Sequence, residues 1–352
     1  MLVSPPTWAG KRVLVTGHTG FKGGWLALWL HRMGAKVTGL ALPPPTAPSL
    51  FAQARIGDIV NHVEGDIRDL DTVLRVVREC RPEVVFHLAA QPLVRYSYDH
   101  PVETYATNVM GTVHLLEACR LVEGVRALVC VTTDKCYDNP ETARAFVESD
   151  PMGGHDPYSS SKGAAELAIA AYRRSYPGGA RIASVRAGNV IGGGDWADDR
   201  LVPDIIRSLL AGQPPAIRNP GSVRPWQHVL EAIGGYLLIA QGLDAGRDDL
   251  ATAWNFGPSD DDARPVEWIV ERMLAAWGSN LGWTRPGGPQ PHEAVLLRLD
   301  CSKARAELGW QPRLRLAEAL TSLVEWHQAV AAGGDARAIT LAQIDDYAAR
   351  IS

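Results

Sequence analysis

Tyr158 and Lys162 lie four residues apart in the run YSSSK, a spacing that puts both side chains on one face of a helix, one turn apart. A tyrosine hydroxyl has a free pKa of about 10, so it removes a proton near neutral pH only where a positive charge favours the phenolate. Lys162 is the group in sequence reach that can supply that charge. Tyr and Lys at this spacing also occur on ordinary surface helices, so the pair gains meaning from what surrounds it. A second polar cluster, Thr133, Asp134 and Lys135, follows the apolar run that ends at Val131. The rest of the chain reads as holding a cofactor or a substrate against residues 131–162.

Such groups need a scaffold, and the sequence describes one. Residues 12–17 (RVLVTG) are a short apolar, β-branched run ending in glycine, as a buried parallel strand is. Gly17, Gly20 and Gly23 then form a G-x-x-G-x-x-G loop ahead of Trp25, Leu28, Trp29 and Met33 at helical spacing. Strand, glycine turn and helix in that order make a dinucleotide site. Glycine lets the backbone approach a diphosphate, and the helix N-terminus faces it with free N–H groups. Further strands are expected at residues 36–42, 62–67, 83–90, 127–133, 181–185 and 253–257, and helices at 69–80, 102–121, from Tyr158 onward, at 201–210 and at 229–241. Repeated βα units specify an α/β fold, a Rossmann-type doubly wound parallel sheet covered on both faces, with ligands beyond the carboxyl ends of its strands. Thr133, Asp134 and Lys135 leave one such end; Ala89, Ala90 and Gln91 leave another. Beyond Val190 the alternation loosens into the GGGDW turn at residues 192–196 and loops rich in Pro and Arg, a smaller irregular α/β lobe. The expected division is 1–188 for the nucleotide domain, with 229–257 returning to it, and 189–228 with 258–352 for the lobe.

Composition narrows the function classes. At 352 residues the chain exceeds what one core usually supports, and 46% hydrophobic with 21% charged residues is ordinary for a globular protein. A net charge of −4 and a pI near 6.2 argue against a general nucleic-acid binder, so any phosphate site must be local. Cys80, Cys119, Cys130, Cys136 and Cys301 are odd in number and contain no C-x-x-C pair, which suggests neither a disulfide framework nor a zinc or other metal site. No signal segment and no bilayer-length apolar run is evident, and a cytoplasmic protein without a membrane or nucleic-acid partner is expected.

T-G-x-x-G-F-x-G at residues 16–23, G-D-I-R-D at 65–69, L-A-A-Q at 88–91 and Y-x-x-x-K at 158–162 resemble the extended short-chain dehydrogenase/reductase family. Within it, GHTGFKG, AAQPLVR, TTDKCYDN, SVRAGNVIGGGDW and RPWQHVLE resemble the nucleotide-sugar 4,6-dehydratases, those acting on CDP-glucose in particular. The resemblance implies an NAD-dependent lyase of deoxysugar biosynthesis. Tyr158 takes the proton of the carbon 4 hydroxyl as NAD oxidises that carbon, water leaves across carbons 5 and 6, and the cofactor reduces carbon 6. Asp134 would protonate the departing hydroxyl and Thr133 would hydrogen-bond the reacting oxygen. Lys135 stands where related dTDP-glucose dehydratases have a glutamate base. It is either a neutral base, the role favoured here, or a charge that steadies the enolate. Asp134 must have its pKa raised from about 3.9 to act as an acid at pH 7.

For the cofactor, the resemblance implies contacts from Gly17, His18, Gly20, Phe21, Lys22, Gly23, Asp66, Ile67, Ala89, Ala90, Gln91, Asn108, Tyr158 and Lys162. The second strand ends Ala41-Leu42-Pro43 without the acid that usually binds the adenosine ribose. His18 and Lys22 are then left for the ribose or its phosphate. Two basic groups there would also tolerate NADP, and the resemblance selects NAD. Asp66 and Ile67 are expected at the adenine, with a helix cap as the other reading of Asp66. Asn189, Gly194, Asp195, Trp196 and Arg224 are expected at the sugar nucleotide's diphosphate, with Arg218 and His292 toward the nucleoside. Trp226 reads as lobe core or ligand wall, and His87 and Cys136 as structural. A homodimer or higher homo-oligomer is expected through the helix bearing Ala164, Ala165, Ala168 and Ala171 and the one at residues 102–121. The rival readings are a nucleotide-sugar epimerase or decarboxylase and a non-catalytic NAD-binding regulator. Neither of the rival enzymes needs an Asp-Lys pair to expel water, and binding alone does not require Tyr158, Lys162, Thr133 and Asp134.

Overall fold

The computed structural model describes residues 3, 5–140, 144–286 and 297–351. In chain order the strands among them are β1 Arg12–Thr16, β2 Lys36–Ala41, β3 Asn61–Glu64, β4 Val84–His87, β5 Ala127–Val131, β6 Arg181–Ala187, β7 Asn189–Ile191, β8 Val223–His228, β9 Ala253–Phe256 and β10 Ala263–Pro265. Seven of them form one sheet in the order β3-β2-β1-β4-β5-β6-β9, every neighbouring pair parallel.

Period-two alternation sends successive apolar side chains of these strands to opposite faces. Val13, Val15, Phe86, Val129 and Val185 join a core with the helices Phe21–Arg32 and Val229–Asp244. Leu14, Val85, Leu128, Cys130 and Ile182 join one on the other face with Leu70–Cys80 and Gly111–Leu121. Burial on both faces is why these strands read as unbroken apolar runs. The chain crosses from β3 to the far side of β1 on its way to β4, so the crevice between the β1 and β4 ends is the topological switch point where ligands of such sheets bind.

Two departures from expectation bear on the site. The helix expected over residues 102–121 is three pieces: Pro101–Tyr105, a wide π turn at Ala106–Met110, and Gly111–Leu121. The inserted turn carries Asn108, in keeping with the tendency of such bulges to occur where a side chain has a specific task. The lobe also contains its own sheet, β10-β8-β7, whose short Pro- and Arg-bearing strands gave no periodic signal. Its core unites Ile205, Ile206 and Leu209 of Leu201–Leu210 with Ile269, Val270 and Met273 of Val266–Trp277 and Leu320 and Leu323 of Leu316–Ala331. The last helix, Ala336–Arg350, packs Ile344 and Tyr347 into the large sheet's core, Tyr347 edge-on to Trp29. We therefore propose to group it with the nucleotide domain rather than with the lobe.

Glu231 ties these parts together. Fully buried, its carboxylate accepts from the Arg313 and Leu314 backbone N–H groups at 2.8 and 2.6 Å and from the Tyr347 hydroxyl at 2.7 Å. Replacing it leaves two half-buried backbone N–H groups and the fully buried Tyr347 hydroxyl unpaired. Glu231→Ala is expected to lose about 3 kcal/mol or more of stability and Tyr347→Phe about 1 kcal/mol, read as urea midpoints at constant slope. An unchanged midpoint in Glu231→Ala would show that the tie contributes nothing.

Candidate active site

β5 ends at Val131, and the chain turns through a short 3-10 segment, Asp134–Cys136, capped by Thr133. The Thr133 hydroxyl donates to Asp134 Oδ1 at 2.9 Å and accepts from the Lys135 N–H at 3.3 Å, which fixes the direction of both side chains' backbone. Asp134 is buried with its carboxyl against the α-carbon of Gly188, where a β-carbon would stand 2.8 Å from Oδ2. Burial pushes its pKa up, opposed by Lys135, the Thr133 hydrogen bond, Arg224 and Lys22. That is the direction a proton donor at neutral pH requires. Lys135 is half-buried beside it.

The helix Pro157–Ser175 starts where the sequence says it must: Asp156 caps it, accepting from the Ser159 N–H and hydroxyl at 2.9 and 2.6 Å, with Pro157 in the first turn. Tyr158 and Lys162 are both buried on it, about 6 Å apart along the axis at 1.5 Å per residue. Burial raises the phenol to about 12, and the Thr133 hydrogen bond and the Arg200 charge work against that rise. Burial lowers Lys162 to about 8, while Glu166 one turn further along the helix raises it. Arg200 adds a charge that favours the phenolate, one the motif reading did not include.

The glycine loop forms a cradle by close approach. Gly17 has φ +77°, and a β-carbon there would lie 2.7 Å from the Ala89 nitrogen; one on Gly23 would lie 2.2 Å from the Gly17 carbonyl oxygen. The helix Phe21–Arg32 begins at Gly20 with no side-chain cap, so its first-turn N–H groups are left for a ligand. This loop fits a dinucleotide diphosphate. Its two basic residues serve otherwise than expected. His18 is fully buried over Gly39, its Nε2 2.8 Å from His62 Nδ1, and burial pushes its pKa down to about 4. It is neutral and brings no charge to a phosphate. Lys22, half-buried and 3.5 Å from the Tyr236 hydroxyl, is lowered to about 7 by desolvation and by Arg200 and Lys162, with Asp134 and Asp195 opposing. It faces the catalytic groups. Of the two basic groups read as able to tolerate an extra phosphate, His18 contributes no charge.

Asp66 does not cap the following helix; Asp69 does, and Asp66 pairs with Arg68 at 2.7 Å. The Ile67 side chain is buried against Gly111, and its carbonyl lies 3.0 Å from His114 Nδ1. Ala89, Ala90 and Gln91 follow the end of β4. Asn108 binds Gln91 through both its amide atoms, at 2.9 and 3.1 Å, and the Ser161 hydroxyl at 2.9 Å, joining the β4 end to the Tyr158 helix. His87 is held between Thr16 and Thr112 and Cys136 is buried.

On the lobe side Asn189 starts β7, and Arg224 on β8 acts on Asp134. The GGGDW turn is a packed joint. Gly193 accepts from the Trp25 indole at 2.9 Å and lies under Trp326, Gly194 has φ +80° over Leu50, and Asp195 binds Arg200 at 3.1 Å. Trp196 is buried, its indole donating to Gln53 at 2.9 Å, so it is a lobe-core residue in this structure. Trp226 also packs on that core. Arg218 pairs with Asp199 at 3.2 Å, and His292 lies outside the described residues. Arg200 lies outside the motifs read from the sequence, and Gly188 lies within SVRAGNVIGGGDW without an assigned role. Arg200 follows GGGDW closely enough to have been suspected, whereas nothing in sequence marks Gly188 as the floor under Asp134.

With six lysines in the chain, the titrations are separable by NMR. Lys22 and Lys162 are expected to titrate near pH 7 and 8. Ordinary values for both, near 10.4, would mean that water reaches the crevice freely.

The curated CDP-glucose 4,6-dehydratase of Salmonella typhimurium is 54% identical over 347 residues, 97% of each chain. A UDP-glucose 4-epimerase of Mycolicibacterium smegmatis is 32% identical, covering 90% of this chain and 98% of its own. The crystal structure of Thermus thermophilus UDP-glucose 4-epimerase in complex with NAD superposes with a TM-score of 0.77 at 28% identity, covering 90% of this chain and 99% of the other. The family model of GDP-mannose 4,6 dehydratase matches residues 14–323, nearly the whole of the two lobes just described, and the chain belongs to that family of extended short-chain dehydrogenases/reductases.

Proposed function

We propose that this protein is an NAD-dependent nucleotide-sugar 4,6-dehydratase whose substrate is CDP-glucose. The observation that carries the reading is a buried carboxyl, Asp134, on the same strand end as Lys135 and hydrogen-bonded at 2.9 Å to Thr133, whose hydroxyl also acts on Tyr158. The 54% identity to a CDP-glucose 4,6-dehydratase over 97% of both chains supports the nucleotide. NAD, when bound in the glycine cradle, supplies the oxidant for carbon 4 and the same reducing equivalent for carbon 6, and so ends unchanged. Tyr158 removes the proton of the carbon 4 hydroxyl, Thr133 holds that oxygen, and Lys162 stabilises the phenolate. The resulting ketone acidifies carbon 5. Asp134 then gives its proton to the hydroxyl leaving carbon 6, and Lys135 removes the carbon 5 proton or steadies the enolate. Arg224 and Asn189 hold the diphosphate, arginine because its planar fork matches phosphate oxygens. Epimerisation has no use for an acid that expels water, so Asp134 favours dehydration.

A homodimer fits the surface. Val102, Met110 and Leu167 are exposed at 82%, 47% and 61% on the adjoining segments Pro101–Tyr105, Ala106–Met110 and Pro157–Ser175, and a second copy would cover them. Among the described residues no helix is long and apolar enough to cross a membrane. Five cysteines without a disulfide fit a cytoplasmic setting.

Incubation with CDP-, dTDP-, GDP- and UDP-hexoses is expected to give a 4-keto-6-deoxy product, seen by mass and by absorbance in base, from CDP-glucose first. Product from none of them would end the reading. Tyr158→Phe is expected to fold and bind cofactor but to lose oxidation at carbon 4; near-normal turnover would remove Tyr158 from the reaction. Lys135→Met is expected to leave carbon 4 oxidation intact and block exchange of the carbon 5 proton with solvent deuterium. If Lys135→Arg restores much of the rate, the residue acts as a charge, because arginine does not deprotonate in a protein; wild-type exchange in Lys135→Met would exclude both roles. Leu167→Glu is expected to give a monomer by light scattering, and an unaltered oligomer would place the contact elsewhere.

A further inference from the structure

Beside the proposed catalytic groups lies a buried polar network centred on Arg186 and Glu166. Arg186 on β6 is 3% exposed and spends its guanidinium on protein alone. Its Nε and Nη2 donate to Glu166 Oε1 and Oε2 at 2.9 and 2.8 Å, and its Nη1 donates to the Tyr137 hydroxyl at 2.7 Å and the Glu148 carbonyl at 3.1 Å. Glu166 also accepts from the Thr132 hydroxyl at 2.5 Å and the Ser184 hydroxyl at 2.7 Å. The Tyr137 hydroxyl donates onward to Asn255 at 2.7 Å.

The placement of these partners is specific. Thr132 is the residue entering the turn that bears Thr133, Asp134 and Lys135, and Tyr137 is the residue leaving it. Glu166 sits one helical turn beyond Lys162 on the helix that bears Tyr158. We infer that Glu166 and Arg186 are positioning residues that clamp both ends of the Thr133–Lys135 turn to the Tyr158–Lys162 helix, fixing the acid and the base relative to one another. The inference rests on the dehydratase reading for its catalytic consequence, and on the hydrogen bonds above for its geometry. A buried ion pair is poorly explained by stability, since apolar replacements of similar volume are often as stable. Holding two separate segments in register is a task an apolar pair cannot do directionally.

The charges that face Lys162 from every side sharpen the test. Glu166 comes from its own helix, Cys136 from the turn, Cys130 from β5, His87 from β4 and Lys22 from the glycine loop. The two thiols are held protonated by burial and His87 neutral, so Glu166 is the anion among them. In Glu166→Gln the Lys162 titration seen by NMR is expected to move down by about one pH unit, and the alkaline limb of single-turnover carbon 4 oxidation with it; Glu166→Asp is expected to restore both in part. In Tyr137→Phe the ion pair survives and one end of the turn is freed. There kcat for product is expected to fall by about tenfold with KM and the oxidation step unchanged, so that reduced cofactor accumulates. Should Glu166→Gln fail to fold, Glu166→Asp and Tyr137→Phe decide the matter. Wild-type titration and pH limb in the Glu166 variants, together with wild-type kcat in Tyr137→Phe, would overturn the inference. A wild-type protein without dehydratase activity would instead sink the functional reading, and the Lys162 titration would still judge the clamp.

Discussion

Withdrawal of charge from water is the constraint on which this crevice depends. Asp134, Tyr158 and Lys162 are each less than a tenth exposed, and burial is the leading cause of the pKa shift at every one. Desolvation favours the neutral form of each group, which moves the acid up and the amine down. The phenol is pushed up to about 12, so it depends on the Thr133 hydroxyl and the Arg200 charge to act as a base. The same burial would be ruinous without partners. The Thr133 hydroxyl bonded to Asp134, Glu166 behind Lys162, and Arg224 and Lys22 facing Asp134 are what keep these charges tolerable.

Such burial requires backbones that come unusually close, and glycine supplies the approaches. Gly23 lies on the Gly17 carbonyl, Gly17 on Ala89, Gly188 on the Asp134 carboxyl and Gly193 on the Trp326 ring. The first two shape the cradle, the third seals the floor under the acid, and the fourth seats the lobe on the helix that crosses both cores. Trp25, from the helix that opens the cradle, donates to the Gly193 carbonyl. Cradle and lobe are therefore positioned by one element, and a shift in either is felt at the other.

Lys22 shows how position in a motif and position in space can part company. It belongs to the glycine loop by sequence, yet its charge is set by burial and then by Arg200, Lys162, Asp134 and Asp195. Its loop partner His18 is neutral and packed on β2 and His62. Leu42 is exposed where many nucleotide folds carry an acid.

The sequence by itself determined the βα alternation, the glycine cradle, the placement of Thr133–Lys135 at a strand end and the Tyr158–Lys162 face, because each depends on spacing along one element or on a turn of a few residues. It left the small sheet of the lobe, the π turn at Asn108 and the last helices undetected, since their strands are short and their apolar pattern serves two cores at once. Only the tertiary structure decided which charges act on which groups: Arg200 on Tyr158, Gly188 under Asp134, His18 turned to β2, and Arg186 joining Tyr137 to Glu166 across segments far apart in the chain. Coulombic and desolvation energies depend on distance and burial in three dimensions, and neither is carried by the order of residues.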